Sequence, residues 1–179
     1  MPVRPARCYR RIKGPPYTRL KYIHGAPYVQ IPKFDMGNTS QAGRQAFTMT
    51  ARLIVEARGQ IRAQALEAAR QMAYKYLSTT ITDANYYFRL EVYPHHVIRE
   101  NKMLAMAGAD RLQEGMRLNF GSPAGRAARV EAGQTLMYLE FKPEHLPHIK
   151  EALRRAASKL PLPTRIIVRP KDGDKTPSS

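Results

Sequence analysis

The sequence predicts an α+β fold in which two helices pack on a compact mixed sheet, with an extended basic N-terminal arm and a long flexible internal loop. Short segments alternate apolar and polar residues as half-buried strands do, and two longer segments repeat apolar residues every three or four positions as amphipathic helices do. Each helix follows a strand, which favours α+β packing. The 179 residues suffice for one such core. We expect an arm at 1–33, a single domain at 34–169 and a loose polar tail at 170–179.

The N-terminal arm is strongly basic and rich in proline and tyrosine. Residues 1–33 contain eight lysines and arginines and no acid, which is half of the net charge of +16. Six prolines disfavour a helix and favour an extended path. Four tyrosines offer rings for stacking on bases while guanidinium groups contact phosphate. A solvated, disordered tail is the alternative for so charged a segment. The arm cations expected to bind RNA are Arg4, Arg7, Arg10, Arg11, Lys13, Arg19, Lys21 and Lys33.

Each element of the domain is predicted by its own periodicity. Alternation indicates strands, three-and-four spacing indicates helices, and prolines mark where several of them end. A Gly-Gln pair between two apolar segments resembles the turn of a hairpin. In order, the predicted elements are a strand at 47–55, a helix at about 60–77, a strand at 86–93, a hairpin of 129–131 with 135–141, a helix from Pro143 to Leu160 and a strand at 165–169.

A long loop is predicted at about 99–128. It contains four glycines and five cations against three acids. Loops longer than ~12 to 15 residues are uncommon in compact domains and are usually functional or disordered. A short helix over the core at 110–116 is the alternative, and the two interpretations are compatible.

The chain lacks the usual signatures of an enzyme. It has neither a phosphate-binding loop nor a dinucleotide fingerprint, and a single cysteine, Cys8. His95 and His96 are adjacent in a strand, so their side chains point to opposite faces; we expect one to be buried and one to face RNA. Glu144-His145 with His148 would place an acid and an imidazole on nearby helical turns, but no third metal ligand accompanies this pair. We therefore predict a binding protein with no cofactor, metal or small-molecule substrate.

Three other classes of function remain as alternatives. An RNA-processing enzyme would use the basic arm for substrate and His95, His96 or Cys8 for chemistry. A free RNA chaperone would have no fixed assembly. An anionic membrane surface would also attract the cations, although neither helix has the bulky apolar face that interfacial binding favours. No stretch resembles a signal peptide or a membrane span, so we expect a cytoplasmic protein without a membrane partner.

Several short motifs occur along the chain: Arg-Pro-Ala-Arg-Cys-Tyr-Arg at 4–10, Pro-Tyr at 16–17, Gly-Ala-Pro at 25–27, Phe-Asp-Met-Gly at 34–37, and the longer stretches 94–103, 107–117 and 151–156. Together they resemble a universal ribosomal protein family, the large-subunit protein numbered ten-e in archaea and eukaryotes and sixteen in bacteria. The resemblance covers nearly the whole chain. The short polar tail points to an archaeal member, and Glu100 departs from the family pattern.

The resemblance implies a hammerhead-type α/β domain without catalytic residues, lodged in ribosomal RNA beside the corridor of transfer RNA. The implied partners are large-subunit RNA, the transfer RNA acceptor end and neighbouring ribosomal proteins. Ribosomal RNA binding is expected at the arm cations, at Arg126 and at Arg99, which would anchor the loop's stem. The loop would approach the acceptor end near the peptidyl transferase centre with Lys102, Met103, Ala107, Gly108, Ala109, Asp110, Arg111, Gly115 and Arg117.

Overall fold

The structure, a computed structural model, describes residues 5–101 and 120–171. Short 3-10 turns lie at Ala6–Tyr9, Leu20–Tyr22, Asp83–Asn85 and Pro143–His145. The strands and α-helices are β1 (Asp35–Gly37), α1 (Gln41–Gln45), β2 (Met49–Val55), β3 (Gly59–Arg62), α2 (Ala63–Thr80), β4 (Tyr86–Leu90), β5 (His96–Glu100), β6 (Ser122–Val130), β7 (Thr135–Phe141), α3 (Leu146–Ala157) and β8 (Thr164–Pro170).

The strands form two sheets. The larger has the order β1-β4-β7-β2-β8 and the smaller the order β3-β6-β5, and the strand pairs of the described residues are all antiparallel. The α+β class with two principal helices is therefore confirmed. The single mixed sheet of the prediction is replaced by two antiparallel sheets, because residues expected in a loop form strands of their own.

The core lies between the larger sheet and the pair α2 and α3. Leu53 of β2 is fully buried in one cluster with Leu66 and Leu77 of α2 and Leu153 of α3. Alanines on the buried face of α2 accompany them in this cluster, and α2 packs directly against α3. Burying each of these leucine side chains contributes ~1.5 to 3 kcal/mol. The predicted strand at 47–55 is thus confirmed as β2 over Met49–Val55, and the two predicted helices are confirmed as α2 and α3.

Strand β7 is buried on both faces, whereas alternation predicted one. Met137 and Leu139 are buried on one face, and Leu136 and Glu140 are buried on the other, with Glu140 only 2% exposed. The sequence pattern did not predict this, because β7 lies in the middle of the sheet and residues distant in the sequence cover its second face. Arg44 of α1 is one of them, and its guanidinium donates a hydrogen bond to the Glu140 carboxylate.

The predicted hairpin around Gly133 is wrong. β6 pairs with β3 and β5, whereas β7 pairs with β2 and β4, so the turn between them crosses from one sheet to the other. Gly133 has a φ of +88°, and its N–H donates to Val55 O at 2.8 Å. A local turn pattern in the sequence indicates that the chain reverses direction, but it does not indicate which strands pair.

Two predicted boundaries shift. Residues 60–62, expected in the first helix, belong to β3, and α2 begins at Ala63 because Arg62 has an extended backbone (φ −66°, ψ 148°). The strand expected at 86–93 ends at Leu90. Ile61 fits the periodicity of both a helix and a strand, and its pairing with β6 places it in a strand.

Both ends of the loop predicted at about 99–128 lie in strands. Arg99 and Glu100 lie in β5, and residues 122–130 form β6. Pro123 and Gly125 are poor strand formers, so the sequence analysis predicted only the end of β6, within the strand at 129–131. Its pairing on both sides, with β3 and β5, outweighs these local preferences.

Candidate nucleic-acid interface

The arm lies on the smaller sheet and is held by its main chain. The N–H of Gln60 donates to Arg10 O at 2.9 Å, and the N–H of Val97 donates to Tyr17 O at 2.9 Å. Gly59 permits this approach, since a Cβ at that position would lie 2.9 Å from the carbonyl oxygen of Arg10. The arm therefore has a defined path at two points along the sheet.

Arginines of β6 also hold the arm. The guanidinium of Arg129 donates to Gly14 O at 2.8 Å, to Lys13 O at 3.2 Å and to Pro15 O at 3.3 Å. Arg126, expected to bind RNA, donates its Nε–H to Pro27 O at 2.8 Å. Both side chains thus donate hydrogen bonds to backbone carbonyls of the arm. The sequence analysis missed Arg129, although a proline-rich arm leaves carbonyl acceptors that a guanidinium with several N–H groups can satisfy.

The cations of the arm remain available to a polyanion. They are exposed, and none forms an ion pair with another residue of the described ranges. Arg4 lies outside the described residues. The exposed arm cations are Arg7, Arg10, Arg11, Lys13, Arg19, Lys21 and Lys33.

Two of the arm's tyrosines contact the domain. The hydroxyl of Tyr9 donates to the carboxylate of Glu100, and the Arg62 guanidinium lies 4.5 Å from the centre of the Tyr9 ring. Tyr17 stacks on His96 with ring centres 5.8 Å apart and an interplanar angle of 21°. These rings fix the arm rather than standing free, and Glu100, the departure from the family pattern, has a partner within the chain.

The other two tyrosines are open to solvent. Tyr22 is 65% exposed and Tyr28 is 87% exposed. The Nζ of Lys21 lies 4.9 Å from the centre of the Tyr22 ring. Exposed rings beside free cations are the arrangement that single-stranded nucleic acid recognition uses.

His96 is buried and His95 is exposed, so the burial half of the expectation for this pair is confirmed. The Nδ1 of His96 accepts the N–H of Tyr17 at 3.0 Å. Burial, with the nearby charge of Arg129 as a second cause, lowers the pKa of His96 from 6.5 to about 4. The imidazole is therefore neutral at neutral pH and acts as an acceptor for the arm.

Acidification is expected to weaken the docking of the arm. Because the folded pKa of His96 lies below its unfolded value of 6.5, its stabilising contribution is complete above about pH 6.5 and declines as the pH falls towards 4. The full loss is about 3 kcal/mol. The protection factor of the Tyr17 amide, which corrects the exchange rate for the slower base-catalysed exchange of any amide at lower pH, should fall over this interval. His96→Asn, which keeps an acceptor near Nδ1 but does not titrate, should remove the dependence; an unchanged pH profile in that variant would contradict the assignment.

The stem of the internal loop lies at one end of the smaller sheet. Glu100 of β5 pairs with Ser122 of β6, so the ends of the loop are neighbours. The Arg99 guanidinium donates to Gly121 O at 3.1 Å and lies 4.5 Å from the centre of the Phe120 ring. Arg99 thus lies at the stem. The loop residues expected near transfer RNA, Lys102, Met103, Ala107, Gly108, Ala109, Asp110, Arg111, Gly115 and Arg117, lie outside the described residues, as does the helix suggested at 110–116.

Other candidate chemistry is not assembled in the described parts of the chain. Cys8 is exposed with a free thiol. Within residues 5–101 and 120–171, no three His, Cys, Asp or Glu side chains come together as a metal site. His148 lies 3.4 Å from the hydroxyl of Tyr76. None of the helices in these ranges combines the length and apolar character that a membrane span needs.

Comparison with known proteins identifies the family. The sequence model described as Ribosomal protein L16p/L10e matches residues 12–167. The "Large ribosomal subunit protein uL16" of Pyrobaculum aerophilum is 80% identical over 98% of this chain and 99% of its own length. The proteins of the same name from Caldivirga maquilingensis and Staphylothermus marinus are 67% and 58% identical, over 93% and 95% of this chain and 94% and 95% of theirs. The chain therefore belongs to the ribosomal protein L16p/L10e family, as an archaeal member and a structural ribosomal protein rather than an enzyme.

Proposed function

We propose that this protein binds large-subunit ribosomal RNA through its N-terminal arm, beside the corridor of transfer RNA, and that residues 102–117 help to position the transfer RNA acceptor end near the peptidyl transferase centre. Membership of the family makes the chain a structural constituent of the large ribosomal subunit, and hence of the cytoplasmic ribosome. As a constituent of the large subunit, it has ribosomal RNA and other ribosomal proteins as partners.

The observation that carries the proposal is the row of seven exposed arm cations without carboxylate partners among the described residues. Each phosphate that such a cation neutralises releases counterions, so log affinity is expected to fall with log salt by ~0.7 to 0.9 per contact. Several such contacts provide strong binding without any base-specific readout. The fixed path of the arm supports an extended contact along the RNA backbone.

The two ends of the segment 102–119 support the second half of the proposal. They leave from adjacent strands, β5 and β6, at the end of the sheet where Glu100 pairs with Ser122. Among the described residues, a core of fully buried side chains such as Leu53, Leu77 and Leu153 is already assembled. We therefore expect a change within the segment to be separable from the folding of the domain.

Deleting residues 102–116 is expected to leave the protein folded and incorporated into large subunits, while impairing translation. Subunits lacking the protein would be reconstituted with the wild type or the deletion variant. Sedimentation would measure incorporation, and peptide-bond formation with aminoacylated transfer RNA would measure function. If the segment contributes contacts worth about 1.4 kcal/mol, the affinity for the acceptor end should fall about tenfold.

A control variant replaces 102–116 with glycine and serine at equal length, which separates the role of the side chains from that of chain length. Equal activity of the wild type and both variants would contradict a role for the segment in transfer RNA positioning. Unfolding of the deletion variant would show instead that the segment is structural.

A further inference from the structure

Phe120 is a large apolar side chain at the surface. It is 68% exposed and lies at the end of the smaller sheet, immediately before Gly121, which is buried. Leaving an aromatic ring in water forgoes the free energy of its burial, about 1.5 to 3 kcal/mol for a side chain of this size. A single exposed apolar residue is ordinary, but the surroundings of Phe120 are not.

A guanidinium covers one face of the Phe120 ring. The Cζ of Arg99 lies 4.5 Å from the centre of the Phe120 ring and 5.6 Å from the centre of the Tyr17 ring. Tyr17 and Phe120 meet edge to face, with centres 6.2 Å apart and an interplanar angle of 77°. With one face on Arg99, an exposure of 68% leaves the opposite face of Phe120 open to a ligand.

The cluster is rigidly supported. Arg99 is fixed by its hydrogen bond to Gly121 O, and Tyr17 is fixed by its stack on the buried ring of His96. The Phe120 ring therefore contacts two side chains whose positions are fixed by the domain. A rigid aromatic ring loses little side-chain entropy when a planar ligand stacks on it, which favours binding.

We propose that Phe120, with Arg99 beneath it and Tyr17 at its edge, is a stacking platform for one unpaired base of RNA. This inference rests on the proposed function, since the arm's phosphate contacts bring the RNA strand to this surface. The ring supplies a π-face for any base, and the guanidinium below it makes the site electropositive beside a polyanion. The platform accounts for an exposed phenylalanine at the edge of a basic surface, which phosphate binding alone does not require.

The test compares an oligoadenylate with an abasic ribose-phosphate oligomer of equal length and charge. The wild type is expected to prefer the oligoadenylate. Phe120→Leu, which keeps an apolar side chain but removes the aromatic face, should reduce that preference by about 5- to 100-fold. Met72→Leu, on α2 and 38% exposed, is the matched control and should leave the preference unchanged. A preference equal in Phe120→Leu and the wild type would overturn the proposal.

Fluorescence gives an independent measurement, because the chain contains no tryptophan. In Phe120→Trp, stacking of a base should quench the emission on addition of oligoadenylate, whereas Met72→Trp should not respond. Absence of quenching in Phe120→Trp at saturating RNA would overturn the platform. A salt-dependent affinity that persists in that case would leave the proposed binding of RNA by the arm intact.

Reconstituted large subunits distinguish the source of the base. Quenching of Phe120→Trp in subunits without transfer RNA would assign the stacked base to ribosomal RNA. Quenching that occurs only on addition of transfer RNA would assign it to the acceptor strand. Full emission in both states would overturn the proposal for the assembled ribosome.

Discussion

Changing Arg7, Arg10 and Arg11 together to glutamate is expected to weaken the binding of large-subunit RNA about a hundredfold or more at about 0.15 M salt. These three side chains are exposed and form no ion pair with other described residues, so the change removes three phosphate contacts and adds repulsion. The slope of log affinity against log salt should decrease in magnitude by about 2 to 3. Filter binding at a series of salt concentrations measures both effects.

The matched control reverses three other exposed cations, Lys75 of α2, Lys150 of α3 and Lys159 just after α3, which gives the same net charge. If only total charge mattered, both triple variants would bind equally weakly. We expect the control to keep most of its affinity and to be incorporated into subunits. Normal incorporation of the arm variant would contradict the arm's role in RNA binding.

Replacing Glu140 by glutamine is expected to lower the free energy of unfolding by about 2 to 3 kcal/mol. The Glu140 carboxylate accepts from Arg44 at 2.6 and 3.2 Å, from Lys171 at 3.0 Å and from the Tyr138 hydroxyl at 3.1 Å. An amide NH2 would face these donors. The loss should be smaller than for a fully buried pair, since the side chains of Arg44 and Lys171 remain 36% and 32% exposed and can regain water.

The same site gives a pH dependence with a definite sign. Burial alone would raise the pKa of Glu140, but the hydrogen bonds from Arg44 and Lys171 outweigh it, and the pKa lies below the ordinary 4.5. Its stabilising contribution is therefore present above pH 4.5 and is lost as the pH falls through the folded pKa. Urea unfolding at several pH values measures this loss, which Glu140→Gln should abolish. Glu144→Gln, at an exposed position, is the control; equal effects of the two substitutions would contradict the argument.

Local periodicity predicted the elements that bury one clear face. The alternation from Phe47 to Val55 and the stripes of α2 and α3 correspond to observed elements because their burial follows from their own spacing. It failed for β6, where proline, glycine and alanine carry little strand preference, and for the turn at Gly133, where the pairing partners are distant in sequence. Pairing between remote segments is decided by packing that no short window contains.

In the candidate site, too, the sequence predicted some features and missed others. Charge composition predicted an arm with exposed cations, and strand geometry predicted one buried histidine beside an exposed one. Composition did not distinguish arginines that hold the arm from those that are free. Arg129 and Arg126 bond carbonyls more than 95 residues away in sequence, and only the folded chain brings these groups together.

The attachment of the arm to the smaller sheet affects the entropy of RNA binding. A flexible segment must be ordered when it meets its target, at a cost of ~1 to 2 kcal/mol for each backbone residue. Between Arg10 and Tyr17, contacts with Gln60, Arg129 and Val97 impose that order before any RNA arrives. The protein thus meets its target with this stretch preorganised, and a larger share of each phosphate contact is available as affinity.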